Sequence, residues 1–89
     1  MYFDDLDKPE VLRILRAARD EKLRINRAGR YTIDGEKKRP DRRLREKLLY
    51  AGLITWPSHD SYRTARVTKE DPVVPLLESG KRELAKLEK

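Results

Sequence analysis

Five prolines punctuate the chain, and each limits what can form around it. Proline has no amide hydrogen and a fixed φ, so it starts helices and interrupts ladders. Pro9 follows Asp7-Lys8 and precedes Glu10, the form of a helix start. Asp7 is a good N-cap, Pro9 is tolerated in the first turn, and Glu10 can reach back as in a capping box. Val11, Leu12, Ile14, Leu15 and Ala18 then recur on one helical face, which predicts a first helix over 8–20. Pro40 opens a second helix over 39–51, with Leu44, Leu48 and Ala51 at i, i+4 and i+7 and Gly52 as its stop. Pro57 breaks a short strand at Leu53-Ile54-Thr55-Trp56. Pro72 and Pro75 interrupt the stretch before a last helix over 77–88, whose apolar positions are Leu77, Leu84 and Leu87. Gly80 weakens the first turn of that helix by up to ~1 kcal/mol relative to Ala.

Two stretches between these helices read as extended. Leu23 and Ile25 alternate with polar residues, as do Tyr31 and Ile33, and Asn26 and Gly29 bound a turn between them. A small β-hairpin is the natural reading, with a short helix over 22–29 as its competitor. After Pro57, Ser58-His59-Asp60-Ser61 is a turn cluster, and Tyr62 to Thr68 is β-rich and alternating, so it reads as a return strand. The whole is a single α+β domain of 89 residues, with residues 1–7 as an acidic leader.

Composition removes several classes of function. There is no cysteine and one histidine, which excludes disulfides, Cys-ligated zinc and a multi-His metal site. No apolar run approaches the ~20 residues of a bilayer span, and the acidic start Met-Tyr-Phe-Asp-Asp-Leu-Asp is unlike a signal peptide. A cytoplasmic location without membrane association is the expectation. No Gly-rich phosphate loop occurs, and His59 has no Ser, Cys or carboxylate constellation, so neither an enzyme nor a cofactor is expected.

The charge is informative where it is concentrated. The chain carries a net charge of +6, and residues 36–47 hold seven basic against three acidic residues, a surplus of +4. Clustered Lys and Arg are an electrostatic footprint for a polyanion, because each cation that meets a phosphate releases a counterion. A solvated helix face is the plainer explanation of the same pattern.

Two blocks carry a family resemblance. Arg42-Arg43-Leu44-Arg45-Glu46-Lys47-Leu48-Leu49-Tyr50-Ala51-Gly52-Leu53-Ile54 resembles the recognition helix of MarR-type winged helix-turn-helix domains, running through Ala-Gly-Leu-Ile into the first wing strand. Leu76-Leu77-Glu78-Ser79-Gly80-Lys81-Arg82-Glu83-Leu84 is similar to that family's entry into its C-terminal helix, with Leu77 where the family prefers a capping Thr. The resemblance implies a winged helix of three main helices with small antiparallel hairpins, a wing over 53–67, and binding of double-stranded DNA as a homodimer in transcription regulation. The family's usual helix between its first and recognition helices is replaced here by the predicted hairpin.

In that setting Lys37, Lys38, Arg39, Arg42 and Arg43 are candidate contacts to phosphate or guanine, and Glu46 to cytosine. On the wing, His59, Arg63 and Arg66 are candidates for backbone or minor-groove contacts, and Arg27 and Arg30 on the first hairpin for further phosphates. Trp56 reads as core or wing packing. Tyr2, Phe3, Leu6, Leu84 and Leu87 are the candidate dimer contact. The alternative is a protein–protein module that docks the basic helix on an acidic partner, since a fold does not fix a function.

Overall fold

The computed structural model describes residues 7–89. The first helix, α1, runs Lys8–Arg19 and buries Val11, Ile14, Leu15, Ala17 and Ala18 along one face. The expected capping box does not form: Asp7 makes no side-chain cap, and the Glu10 carboxylate is held instead by Arg13 at 2.6 Å. At the other end Glu21 takes the left-handed conformation, φ 60°. Its amide donates to Ala18 at 3.3 Å and that of Lys22 to Ala17 at 2.8 Å, so the last carbonyls of α1 are satisfied.

The hairpin reading holds and the competing helix over 22–29 does not. Strands β1 (Leu23–Ile25) and β2 (Tyr31–Ile33) pair antiparallel, with Leu23 opposite Ile33 and Ile25 opposite Tyr31. All four of those side chains are buried. Asn26 builds the turn, its side-chain oxygen accepting from the amides of Ala28 at 2.9 Å and Arg30 at 3.0 Å. Gly29, at φ 77°, supplies the left-handed residue the turn needs.

Helix α2 spans Arg42–Tyr50, starting three residues later than the proline suggested. Asp41 is the reason. Its backbone is extended and its carboxylate accepts from the Arg43 amide at 2.8 Å, a cap that leaves Arg39 and Pro40 outside the helix. Leu44 and Leu48 fill the core, and Gly52 at φ 75° closes the helix as expected.

The largest correction falls after Pro57. Residues His59–Thr68 form a helix, α3, where the alternation suggests a return strand. Ser58 caps it, accepting from the Ser61 amide at 3.1 Å. None of its residues is buried, so the alternating pattern had no apolar face to place against a neighbour, and local capping decided the conformation. The chain does return in extended form, but later. Ile54 bridges Leu76, the Leu77 amide donates to Leu53 at 3.0 Å and that of Thr55 to Pro75 at 3.3 Å. Just before this, residues 72–74 lie against the free edge of β1, with Ile25 donating to Pro72 at 3.1 Å and Val74 to Leu23 at 2.7 Å.

Helix α4 (Glu78–Leu87) packs on α1, tied by Arg19 to Glu88 at 3.0 Å. Its Gly80 has a structural purpose that propensity hides: a Cβ there would lie 2.1 Å from the Leu53 carbonyl oxygen. The fold is thus α+β, with a two-stranded hairpin and, among the described residues, four helices where three were expected. Leu84 is buried in its core, which withdraws it from the expected dimer contact, and Leu87 is partly buried against that core. Tyr2, Phe3 and Leu6 lie outside the described residues. Among the described residues no helix is long and apolar enough to cross a membrane.

Candidate nucleic-acid interface

Arg13 ties the basic segment before α2 to α1. It donates to Glu36 at 3.4 Å and to the backbone oxygens of Lys38 at 3.2 Å and Arg39 at 3.4 Å, while Glu10 holds it from behind. The Arg13 guanidinium keeps the Glu10 carboxyl below the usual carboxylate range, chiefly by hydrogen bonding and against a desolvation penalty. Lys37, Lys38 and Arg39 are left exposed.

A second arginine joins α2 to the hairpin. Arg45 donates to the Gly29 carbonyl and stands 4.9 Å from the centre of the Tyr31 ring. The hairpin turn is thereby brought beside the N-terminus of α2, and between them lies a cleft of about 420 Å³. Arg30, Arg39, Arg42 and Arg45 line it, and no carboxylate does. Arg30 and Arg39 make no ion pair among the described residues, and Arg42 reaches only Glu46, 3.7 Å away on an exposed face. Exposed pairs of that kind are held weakly, so Arg42 is available to a ligand.

Two further depressions continue this face. A groove of about 540 Å³ runs between the hairpin turn and α3, lined by Arg27, Trp56, Tyr62 and Arg66 together with Lys69, Glu70 and Asp71. A shallower one of about 330 Å³ lies over Arg45, Glu46, Tyr50 and Trp56. Each pair of them shares one residue, Gly29, Arg45 or Trp56, which makes them neighbours on one surface.

Of the candidates read from the sequence, Arg39, Arg42, Glu46 and Arg66 fall on this surface, and the hairpin adds Arg27 and Arg30. Others do not join them. Arg43 turns toward Asp7, 3.8 Å away. Lys37, Lys38, His59 and Arg63 line none of these three depressions, and the last two stand on a helix instead of a wing strand. Trp56, expected to pack, is 53% exposed, and Tyr50 is 90% exposed.

Neither Arg45 nor Tyr50 is among the contacts that the sequence suggests. Tyr50 lies two residues past Leu48, on the far side of the helix from the apolar stripe, and a helical wheel shows it exposed. Arg45 flanks the stripe, and nothing in the sequence tells a flanking arginine that its partner is a carbonyl sixteen residues away.

No family model matches the chain, and searches of curated proteins and of solved structures found no match.

Proposed function

We propose that the protein binds double-stranded DNA, with the arginine cleft at the start of α2 seated on the phosphate backbone and the exposed face of α2 turned into the major groove. The observation that carries this reading is the cleft itself: arginines from the hairpin, the segment before α2 and α2 line it, no carboxylate does, and only Arg42 has an acid, Glu46, within reach. Like charges converging without a counter-charge repel one another, and a polyanion relieves that repulsion while releasing counterions. Arg42 stands in the first turn of α2, and a guanidinium there suits a bidentate approach to guanine or to phosphate.

The winged-helix resemblance supports the same reading in a modified form. The pairing of 53–55 with 75–77 between α2 and α4 falls where the resemblance would put the base of a wing, and α3 occupies the excursion where a simple hairpin was expected. A role in transcription regulation follows from the resemblance and belongs to this proposal.

The experiment is a salt titration of binding to a duplex. With roughly five phosphates neutralised, log K against log[salt] has a slope of about −4 to −5. Alanine at Arg30, Arg39 or Arg42 should lower affinity and shorten the slope by about one each. Lys86→Ala on α4, remote from the cleft, serves as the control. A flat salt dependence, or equal losses at Lys86 and Arg42, overturns the proposal.

A further inference from the structure

Phosphate chemistry does not account for the aromatic half of the surface. Trp56 and Tyr62 line the groove between the hairpin turn and α3, and Tyr50 stands just beyond Trp56 on the α2 side. Large exposed aromatics cost free energy in water, and here they share a surface with arginines. A closed duplex gives such rings little to hold, because its base faces are stacked on one another and only base edges and sugar-phosphate remain accessible. An unpaired base offers a free π-face, and aromatic rings beside cations are the chemistry that takes it.

The charges of the groove agree with such an occupant. Arg27 from the hairpin and Arg66 from α3 line the groove together with the two rings, and neither has an ion pair among the described residues. Glu70 and Asp71 also line the groove, and three cations, Arg27, Arg66 and Lys69, outnumber them. At about 540 Å³ the groove has the size of a small-ligand site. It adjoins the arginine cleft at Gly29 and the Tyr50 depression at Trp56.

We infer that the ligand is DNA carrying an unpaired strand beside its duplex, with the duplex backbone on the Arg30–Arg39–Arg42 cleft and an unpaired base stacked on Trp56 and Tyr62. The inference rests on the duplex-binding reading and narrows it from duplex in general to duplex next to a single-stranded extension.

Trp56 is the chain's single tryptophan, so its fluorescence reports this groove alone. The full chain is titrated with three DNAs at one salt concentration: a blunt duplex, the same duplex with a short single-stranded overhang, and that overhang built from abasic nucleotides. The overhang duplex should bind about tenfold tighter per stacked base than the blunt one and quench Trp56. The abasic overhang keeps the phosphates and should lose both effects with the protein untouched. Trp56→Ala should bring the overhang duplex down toward the blunt affinity. Tyr62→Ala keeps the reporter and should give a smaller version of that loss.

Equal affinities for blunt and overhang duplexes with no quenching overturn this inference and leave duplex binding standing. Failure of all three DNAs to bind overturns both. Trp56 emission that changes with protein concentration alone assigns the face to a second copy and removes the base from it.

Discussion

Arg45 spans the space between α2 and the β-hairpin, its guanidinium 4.9 Å from the centre of the Tyr31 ring and hydrogen-bonded to the Gly29 carbonyl. Through this one side chain the turn that carries Arg27 and Arg30 is registered against the helix that carries Arg42. Arg45→Ala should therefore destabilise the protein by about 2 kcal/mol, from a lost charge-assisted hydrogen bond and a lost cation–π contact. Arg45→Lys keeps the charge without the planar fork and should recover only part of it. Urea denaturation of the three proteins measures this, and an alanine variant as stable as the parent removes the link.

Tyr31 itself carries an anomaly. Its hydroxyl is buried without a hydrogen-bond partner, and burial pushes its pKa up from 10.0 to about 12, with the Arg45 charge opposing the shift. A buried donor left unsatisfied costs free energy, so Tyr31→Phe should leave stability at neutral pH unchanged or raised. The sign with pH follows from the raised folded value. Between pH 10 and about 12 the unfolded chain loses this proton and the folded one keeps it, so stability falls as pH rises through that window. Denaturation at a series of alkaline pH values should show less of this loss in Tyr31→Phe; identical pH profiles would contradict the assignment.

Gly80 poses a contest between propensity and packing. Alanine is the better helix former by about 1 kcal/mol, yet its Cβ would sit 2.1 Å from the Leu53 carbonyl and 2.6 Å from the Leu76 side chain. Backbone cannot yield as a flexible side chain does, so Gly80→Ala should destabilise by about 1–3 kcal/mol. A more stable Gly80→Ala would mean that α4 stands away from residues 52–53.

Glu21 gives the opposite expectation. It closes α1 at φ 60°, where a side chain costs about 1 kcal/mol and glycine does not. Its carboxylate appears in no ion pair among the described residues. Glu21→Gly should raise the thermal midpoint by a few degrees. A fall in the midpoint would show that the side chain has a favourable contact.

Helix α3 should be the least protected of the four. It is ten residues long, buries none of them, and contains the β-branched Thr64, Val67 and Thr68. Isolated helices of that length are marginal in water. Backbone amides over 62–68 should exchange with solvent far faster than those of Ile14 or Leu15, and DNA that engages Arg66 should slow them. Uniform exchange across α1 and α3 would count against this.

The sequence was a good guide wherever apolar residues had a face to bury. Leu23, Ile25, Tyr31 and Ile33 alternate because one side of the hairpin meets the core, and Leu44 with Leu48 marks the buried side of α2 for the same reason. Tyr62 to Thr68 also alternates, but in residue type only, and with no burial behind it the pattern carried no information about conformation. The candidate site divides along a related line. Charge density drew attention to Arg39 and Arg42 because it is local in the chain. The convergence of Arg30 on them depends on Asn26, Gly29 and Arg45 acting together across the hairpin, which no linear pattern records.

Thr55 and Pro75 are joined by a backbone hydrogen bond of 3.3 Å, and Ile25 and Pro72 by one of 3.1 Å. Everything from Ser58 to Asp71 therefore leaves and re-enters the body through a fastened gate. The entropy of closing such a stretch grows only with the logarithm of its length, and α3 within it contributes no side chain to the core. The segment is an exchangeable cassette. Its helix can be lengthened, shortened or rewritten while the body that holds it keeps its fold, so this face of the protein can diversify at a pace of its own.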